Sequence, residues 1–368
     1  MATQKWLIGL LTVACAGAPA CASGAGKTTQ DQSSASSDSS DNGDNGDDSP
    51  KDAAAATTKR LDSGSGAATV HLDAGTKQDA AKATPAPSDA GPAPSDDVPS
   101  SSPSDGPSTS VPTGTLPAVT DLGAAGPFTT ASGPGPSGFV LFYPKELGKG
   151  GVKHPILSFG PGAAENAGSF TTLLTHFASH GFAVISYDGT PDGQELITAI
   201  DYMVAENARS DSMFYQKLDI SKIGAGGHSA GSLATFKVAA EKRLITTVHL
   251  SGGTFDPHTD INNLHAPALF ICGDDGGDGL ITGDVARPNC DLDFMNAKVP
   301  VFYGDLIGAA HMSPTEIGDP VFRTKIAAAC VGWLRWQLAG DETQKPTFVG
   351  SDCTLCKDSA WKSQQKNW

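Results

Sequence analysis

The chain reads as an α/β protein: a mostly parallel central sheet with helices on both faces, preceded by a disordered N-terminal tail. From Phe139 onward, short apolar runs alternate with stretches whose apolar residues recur at helical spacing. The short runs are apolar throughout rather than at every second residue, as strands covered on both faces must be. The tail is set apart by composition. From Ser23 to Val111 it is Ser, Asp, Ala, Gly, Pro and Thr with no Phe, Tyr or Trp, too little apolar surface to offset the entropy of ordering it.

The elements follow in order. Phe139–Tyr143 is a strand between a Gly/Pro cluster and Pro144, and Pro155–Phe159 is the next, ending in Gly160-Pro161-Gly162. Phe170–His180 places Phe170, Leu173, Leu174 and Phe177 on one helical face, with Gly181 as its stop. Phe182–Tyr187 is a buried strand, and Glu195–Ala208 a helix with Leu196, Ile197, Ile200, Met203 and Val204 aligned. The strand starting at Leu218 leads into Gly226-Gly227-His228-Ser229-Ala230-Gly231-Ser232, and Leu233–Ala240 reads as a helix. Three strands follow, Thr246–Leu250, Ala268–Cys272 and Val299–Tyr303, and a long helix, Val321–Leu338, closes the fold.

Strand, Gly-x-Ser-x-Gly, helix is the layout of a nucleophile elbow, which points to an α/β-hydrolase with Ser229 as nucleophile. The turn is so sharp that the residues two before and two after the Ser must be nearly free of side chain. The following helix aims its N–H groups at the site, where negative charge develops. Chains of this fold run Ser, then Asp or Glu, then His.

His311, in the loop between the last strand and the last helix, is the expected base. His154, His176 and His180 precede the elbow and His228 lies within it, while His249 is mid-strand and His258 and His265 come before the acid's strand. The acid is expected among Asp274, Asp275 and Asp278, just past Cys272, with Asp275 preferred. A calcium loop is the competing reading of this Asp/Gly cluster, but the carboxylate spacing of an EF-hand is missing. Oxyanion donors are expected at Ala230, next to the nucleophile, and at Ala163, in the turn where Pro161 has no N–H to give.

The two ends carry other signals. Lys5 precedes the apolar run Trp6–Val13, and residues 1–22 read as a secretory signal too short to span a bilayer. Leu11-Thr12-Val13-Ala14-Cys15 has the form of a lipobox, Cys21 is a second candidate, and plain cleavage after Ala20 or Ala22 is the alternative. Residues 23–118 would then be a tether, 119–356 the catalytic domain and 357–368 a C-terminal tail. Gly24-Ala25-Gly26-Lys27-Thr28 mimics a phosphate loop but lacks its first Gly and a preceding strand.

The net charge of −15 excludes nucleic acid as a partner, and membrane contact is expected only through the lipid anchor. Of seven Cys, five lie in the folded part, so one thiol should be left over or pairing be incomplete; Cys353-Thr354-Leu355-Cys356 reads as a terminal disulfide staple rather than a zinc or redox pair, and which cysteines join is left open.

The segments HPILSFGPGAAENAGSFTTLLTHFASHGFAVISYDG, QELITAIDYMVAENARSD, LDISKIGAGGHSAGS, APALFICGDD and VGWLRWQLAGDETQKPTF together resemble the bacterial cutinase and polyester-hydrolase family, on the dienelactone-hydrolase side of the α/β-hydrolases. The resemblance implies Ser229, Asp275 and His311 as the triad, with oxyanion donors at Ala163 and Ala230. It also implies two aromatic clamping positions, filled here by Ala163 and by Ser251-Gly252-Gly253, and a Cys partner for Cys272 at a position that is Ser313 here.

The expectation is a secreted or surface-anchored, monomeric serine esterase that hydrolyses carboxylic esters through an acyl-enzyme and needs no cofactor. A polyester or lipid depolymerase with the same triad is one alternative. A non-catalytic surface binding protein on the same fold is the other.

Overall fold

A computed structural model describes residues 114–274 and 283–368 of the chain. The signal segment, both candidate lipidated cysteines and almost all of the tether lie outside the described residues. Fifteen regular elements organise the rest: β1 (Thr130–Pro134), β2 (Phe139–Pro144), β3 (His154–Gly160), α1 (Thr171–Ser179), β4 (Ala183–Tyr187), α2 (Gln194–Ala208), β5 (Leu218–His228), α3 (Ala230–Val238), β6 (Leu244–Leu250), β7 (Ala268–Gly273), α4 (Arg287–Asn296), β8 (Val301–Leu306), α5 (Pro320–Gln337), α6 (Thr354–Lys357) and β9 (Trp361–Lys366).

The strands form one sheet in the order β1-β2-β4-β3-β5-β6-β7-β8-β9. The run from β4 to β8 is parallel, and antiparallel pairs close both edges, β1 and β2 on one side and β9 on the other. This is the mostly parallel, helix-covered sheet expected for an α/β-hydrolase. Side-chain alternation divides the core. On β3, Leu157 and Phe159 join the core beneath α1 and α5, while Ile156 joins the one beneath α2. On β7, Leu269 and Ile271 face the first of these, and Phe270 and Cys272 pack with Phe236 of α3 and Phe294 of α4. Strands β3 and β7 are thus buried on both faces, which is why each reads as a continuous, mostly apolar run.

Four elements, β1, α4, α6 and β9, differ from the sequence reading. Both outer strands were unassigned, and residues 357–368, expected as a tail, supply β9, with Trp361 buried against the core. Helix α4 occupies a stretch to which no structure was given. No helix among the described residues is long and apolar enough to cross a membrane.

Arg335 near the end of α5 is almost fully buried and closes the domain's seam. Its Nε and Nη2 both lie 2.9 Å from Asp341 Oδ2, and Nη2 donates to Pro117 O at 2.7 Å. Burial pushes the Asp341 carboxyl up, but hydrogen bonds from Thr343 and Arg335 outweigh it and hold the group below its usual range. A carboxyl that titrates lower in the folded than in the unfolded chain contributes fully above its unfolded pKa, about 4, and ceases to contribute as pH falls through the folded value. Asp341→Asn should therefore cost about 3 kcal/mol near neutral pH, by stranding a buried guanidinium. Thermal melts should show the variant several degrees below wild type at pH 7, with the gap narrowing as pH falls below about 4.

Candidate active site

The parallel strands deliver their carboxyl ends to one edge of the sheet, and the chemistry-bearing residues collect there. Ser229 follows directly on β5 and caps α3 with φ 51° and ψ −116°, a left-handed conformation that non-glycine residues seldom adopt. Its neighbours leave room for nothing larger than glycine. A Cβ on Gly231 would run into the Gly160 carbonyl at the end of β3, and one on Gly227 into the Gly231 backbone. The β5 to α3 turn and the end of β3 are therefore in backbone contact, which brings the 160–164 turn beside the serine.

A cavity of about 320 Å³ opens over this point, lined by Ala163, Ser229, Ala230 and His311 together with Ser251, Gly252, Gly253, Phe255, Val285 and Asn289. Four of the five expected site residues thus share one cavity. In the turn, the Gly162 amide donates to Glu165 Oε2 at 2.7 Å and the Ala164 amide to Thr190 Oγ1 at 3.0 Å. The amide of Ala163 lies between these two committed neighbours.

The carboxylate that meets the histidine is Asp284. His311 Nδ1 lies 3.0 Å from Asp284 Oδ1, and the Asp284 side chain is fully buried. Its Oδ2 accepts from the Gly273 amide at 2.7 Å, and Oδ1 also accepts from the Ala286 amide at 3.0 Å. Burial pushes this carboxyl up, but the hydrogen bond and charge of His311 and the two amides outweigh it and hold the group below the ordinary Asp range. An ionised carboxylate facing Nδ1 requires that nitrogen to carry the proton, which leaves Nε2 as the basic nitrogen.

Asp275 and Asp278 lie outside the described residues, and the Asp274 side chain stands 3.9 Å from the Arg287 guanidinium. Among the described residues the carboxylate at His311 Nδ1 is that of Asp284, and the reason it reaches there is local. The Asp284 amide donates to Asp274 O at 2.9 Å, so a chain that leaves the end of β7 at Asp274 is back beside it at Asp284. Sequence offered one usable clue: Gly283-Asp284 stands directly ahead of α4, still between the nucleophile and the histidine in chain order.

Backbone bonds fix the base loop to the same place. The His311 amide donates to Gly283 O at 2.9 Å and the Asp274 amide to Ala309 O at 2.9 Å. Cys272, at the end of β7, is bridged to Cys290 of α4, and the partner implied at position 313 is a buried Ser313 that accepts from the Ala310 amide at 2.9 Å. The second disulfide joins Cys353 to Cys356, a pairing that the sequence left open, and Cys330 is the free, buried thiol among the described residues.

The cavity wall opposite the 160–164 turn is the stretch after β6. Ser251, Gly252 and Gly253 leave it low, and Phe255, 65% exposed, supplies a ring that sequence reasoning did not single out. Asp293 of α4 holds this stretch from below by accepting from the amide and hydroxyl of Thr254, with His258 Nδ1 at 3.4 Å. Among the described residues, no group of three or more His, Cys, Asp or Glu is arranged to hold a metal ion.

Comparison with known proteins gives this geometry a family. The profile of the PET hydrolase-like family matches residues 105–365. Cutinase 2 of Thermobifida cellulosilytica is 30% identical over 244 residues, 61% of this chain and 85% of that protein. Cutinase cut1 of Thermobifida fusca is also 30% identical over 244 residues, covering 61% of this chain and 70% of the relative. Cutinase est2 of Thermobifida alba is 28% identical over 246 residues. With the match spanning most of the chain and these relatives agreeing, the chain belongs to the PET hydrolase-like family and is a carboxylic ester hydrolase.

Proposed function

We propose that the chain is an exported serine esterase whose triad is Ser229, His311 and Asp284. The observation that carries this reading is the 3.0 Å contact between His311 Nδ1 and the buried Asp284 carboxylate, at a cavity whose wall also holds the strained Ser229. His311 Nε2 takes the Ser229 proton as Oγ attacks the ester carbonyl, and Asp284 stabilises the imidazolium that forms. The amides of Ala163 and Ala230 receive the oxyanion. His311 returns the proton to the leaving alcohol, and water releases the acyl group by the same steps in reverse.

On the substrate side, low walls at Ala163 and at residues 251–253 favour esters presented with little stacking, and Phe255 is the ring within reach of an acyl or alcohol group. A polyester chain is the second reading, favoured by the family to which the chain belongs. Export rests on the apolar N-terminal run and lipobox-like Leu11–Cys15.

Three outcomes test this reading. On short p-nitrophenyl esters, Ser229→Ala should lower kcat by about 10⁴-fold or more and abolish labelling by a fluorophosphonate. Equal rates in the two proteins would remove Ser229 from the mechanism. Asp284→Asn should lower kcat by about 10³–10⁴-fold, because an amide at that position can favour the wrong imidazole tautomer, whereas Asp274→Asn should retain most activity. Phe255→Ala should raise KM for aromatic esters by about 2–10-fold, the loss of about 0.5–1.5 kcal/mol of ring contact, with little change for acetate esters.

A further inference from the structure

A second histidine stands behind the first. His228, within the elbow, is fully buried, and its ring lies against that of His311 with centroids 4.8 Å apart. Its Nε2 is 2.8 Å from the backbone carbonyl of His311, and its Nδ1 is 2.9 Å from Glu165 Oε2. The Glu165 side chain is only 9% exposed, and the same Oε2 accepts from the Gly162 amide at 2.7 Å. One carboxylate oxygen therefore touches the oxyanion turn directly, the nucleophile elbow through Nδ1, and the base loop through the far side of the ring.

The chemistry of the partners fixes the protons. A backbone carbonyl only accepts, so His228 Nε2 carries hydrogen. Between Nδ1 and Oε2 there must also be a proton, since two lone pairs at 2.9 Å would repel. Glu165 and His228 thus hold a proton between them in a buried site, and that shared proton keeps both ring nitrogens bonded. Glu165 Oε1 is buried and takes no hydrogen bond from any described residue, so Oε2 alone carries these contacts. The position is tight: a Cβ on Gly162 would collide with Glu165 Oε2 and come within 3.0 Å of His228 Nδ1.

We infer that Glu165 is a positioning residue for ester hydrolysis, setting the oxyanion turn and the backbone of His311 in register through the proton it shares with His228. The inference rests on the esterase reading for its kinetic consequence. It does not rest on it for the Glu165–His228 link itself. Glu165 touches no reacting atom, so its effect should fall on the chemical step rather than on substrate binding. Gln in its place keeps the shape and cannot share that proton. The Gln oxygen can accept from Gly162 while Nδ1 loses its proton, or the Gln amide can serve Nδ1 while Gly162 loses its acceptor.

The test uses the full chain with isotope-labelled histidine. Wild type should show two downfield ring N–H protons from His228, assigned by their absence in His228→Asn. Glu165→Gln should keep the Nε2 proton and lose the Nδ1 proton. On p-nitrophenyl butyrate, Glu165→Gln should lower kcat by about tenfold and Glu165→Ala by about 10–100-fold, each with KM within about threefold of wild type. Wild-type kcat in both variants, a change confined to KM, or an unchanged Nδ1 proton in Glu165→Gln would each overturn the inference. If Glu165→Ala fails to fold, the isosteric Gln variant decides. If Ser229→Ala is as active as wild type, the esterase reading falls, and the ring-proton spectra still decide whether Glu165 holds His228.

Discussion

The structure depends on a backbone collision that never happens. Gly160 ends β3, Gly227 and Gly231 flank the elbow, and their chains touch where any Cβ would intrude. That contact forces Ser229 into a conformation that costs about 1–3 kcal/mol and would relax if the neighbours gave way. They do not, because β3 and β5 are paired from His154 through Gly160 in the centre of the sheet. The strain at the serine is therefore held by the central strand pair of the sheet. The same contact brings the turn bearing Ala163 to within reach of whatever is bonded at Ser229.

Around that fixed point, the more mobile groups are secured by buried polar contacts that leave few alternatives. Asp284 receives two backbone amides as well as His311, so its carboxylate is oriented before the histidine is considered. The His311 backbone is held at its amide by Gly283 and at its carbonyl by His228. A histidine restrained at both its amide and its carbonyl is pre-organised, with little freedom left to lose in any chemistry at the cavity.

Legibility in the sequence followed the same division. The elbow was readable because the two glycines are a steric requirement, visible without any knowledge of contacts. His311 was readable because it alone occupies the loop after the last parallel strand. Asp284 was not, since the rule looks directly after the strand, whereas Asp284 stands ten residues past Asp274 and bonds back to it through its own amide. The edge strands β1 and β9 were missed because TASGP and WKSQQK carry no apolar run. Each has a sheet neighbour on one side only and exposes much of its length. Glu165 gave no signal either: in sequence it is an ordinary acidic residue of a loop, and only the tertiary fold brings it to the buried face of His228.

Helix α4 explains why acid and substrate wall are linked. Asp284 and Ala286 lie at its N-terminal side, Cys290 binds it to the end of β7, and Asp293 grips Thr254 of the wall that carries Phe255. A bridge from Cys272 to the histidine loop, as the resemblance implied, would have fixed the base and left this helix held by packing alone. With the bridge on α4 instead, the covalent constraint closes a segment of 18 residues that contains the acid, a loop length for which chain entropy predicts about 3 kcal/mol. The histidine loop is then secured by hydrogen bonds to Gly283 and His228. The covalent restraint thus falls on the segment of Asp284 and on the α4 side of the cavity rather than on the loop of His311. Any displacement of α4 must shift both together.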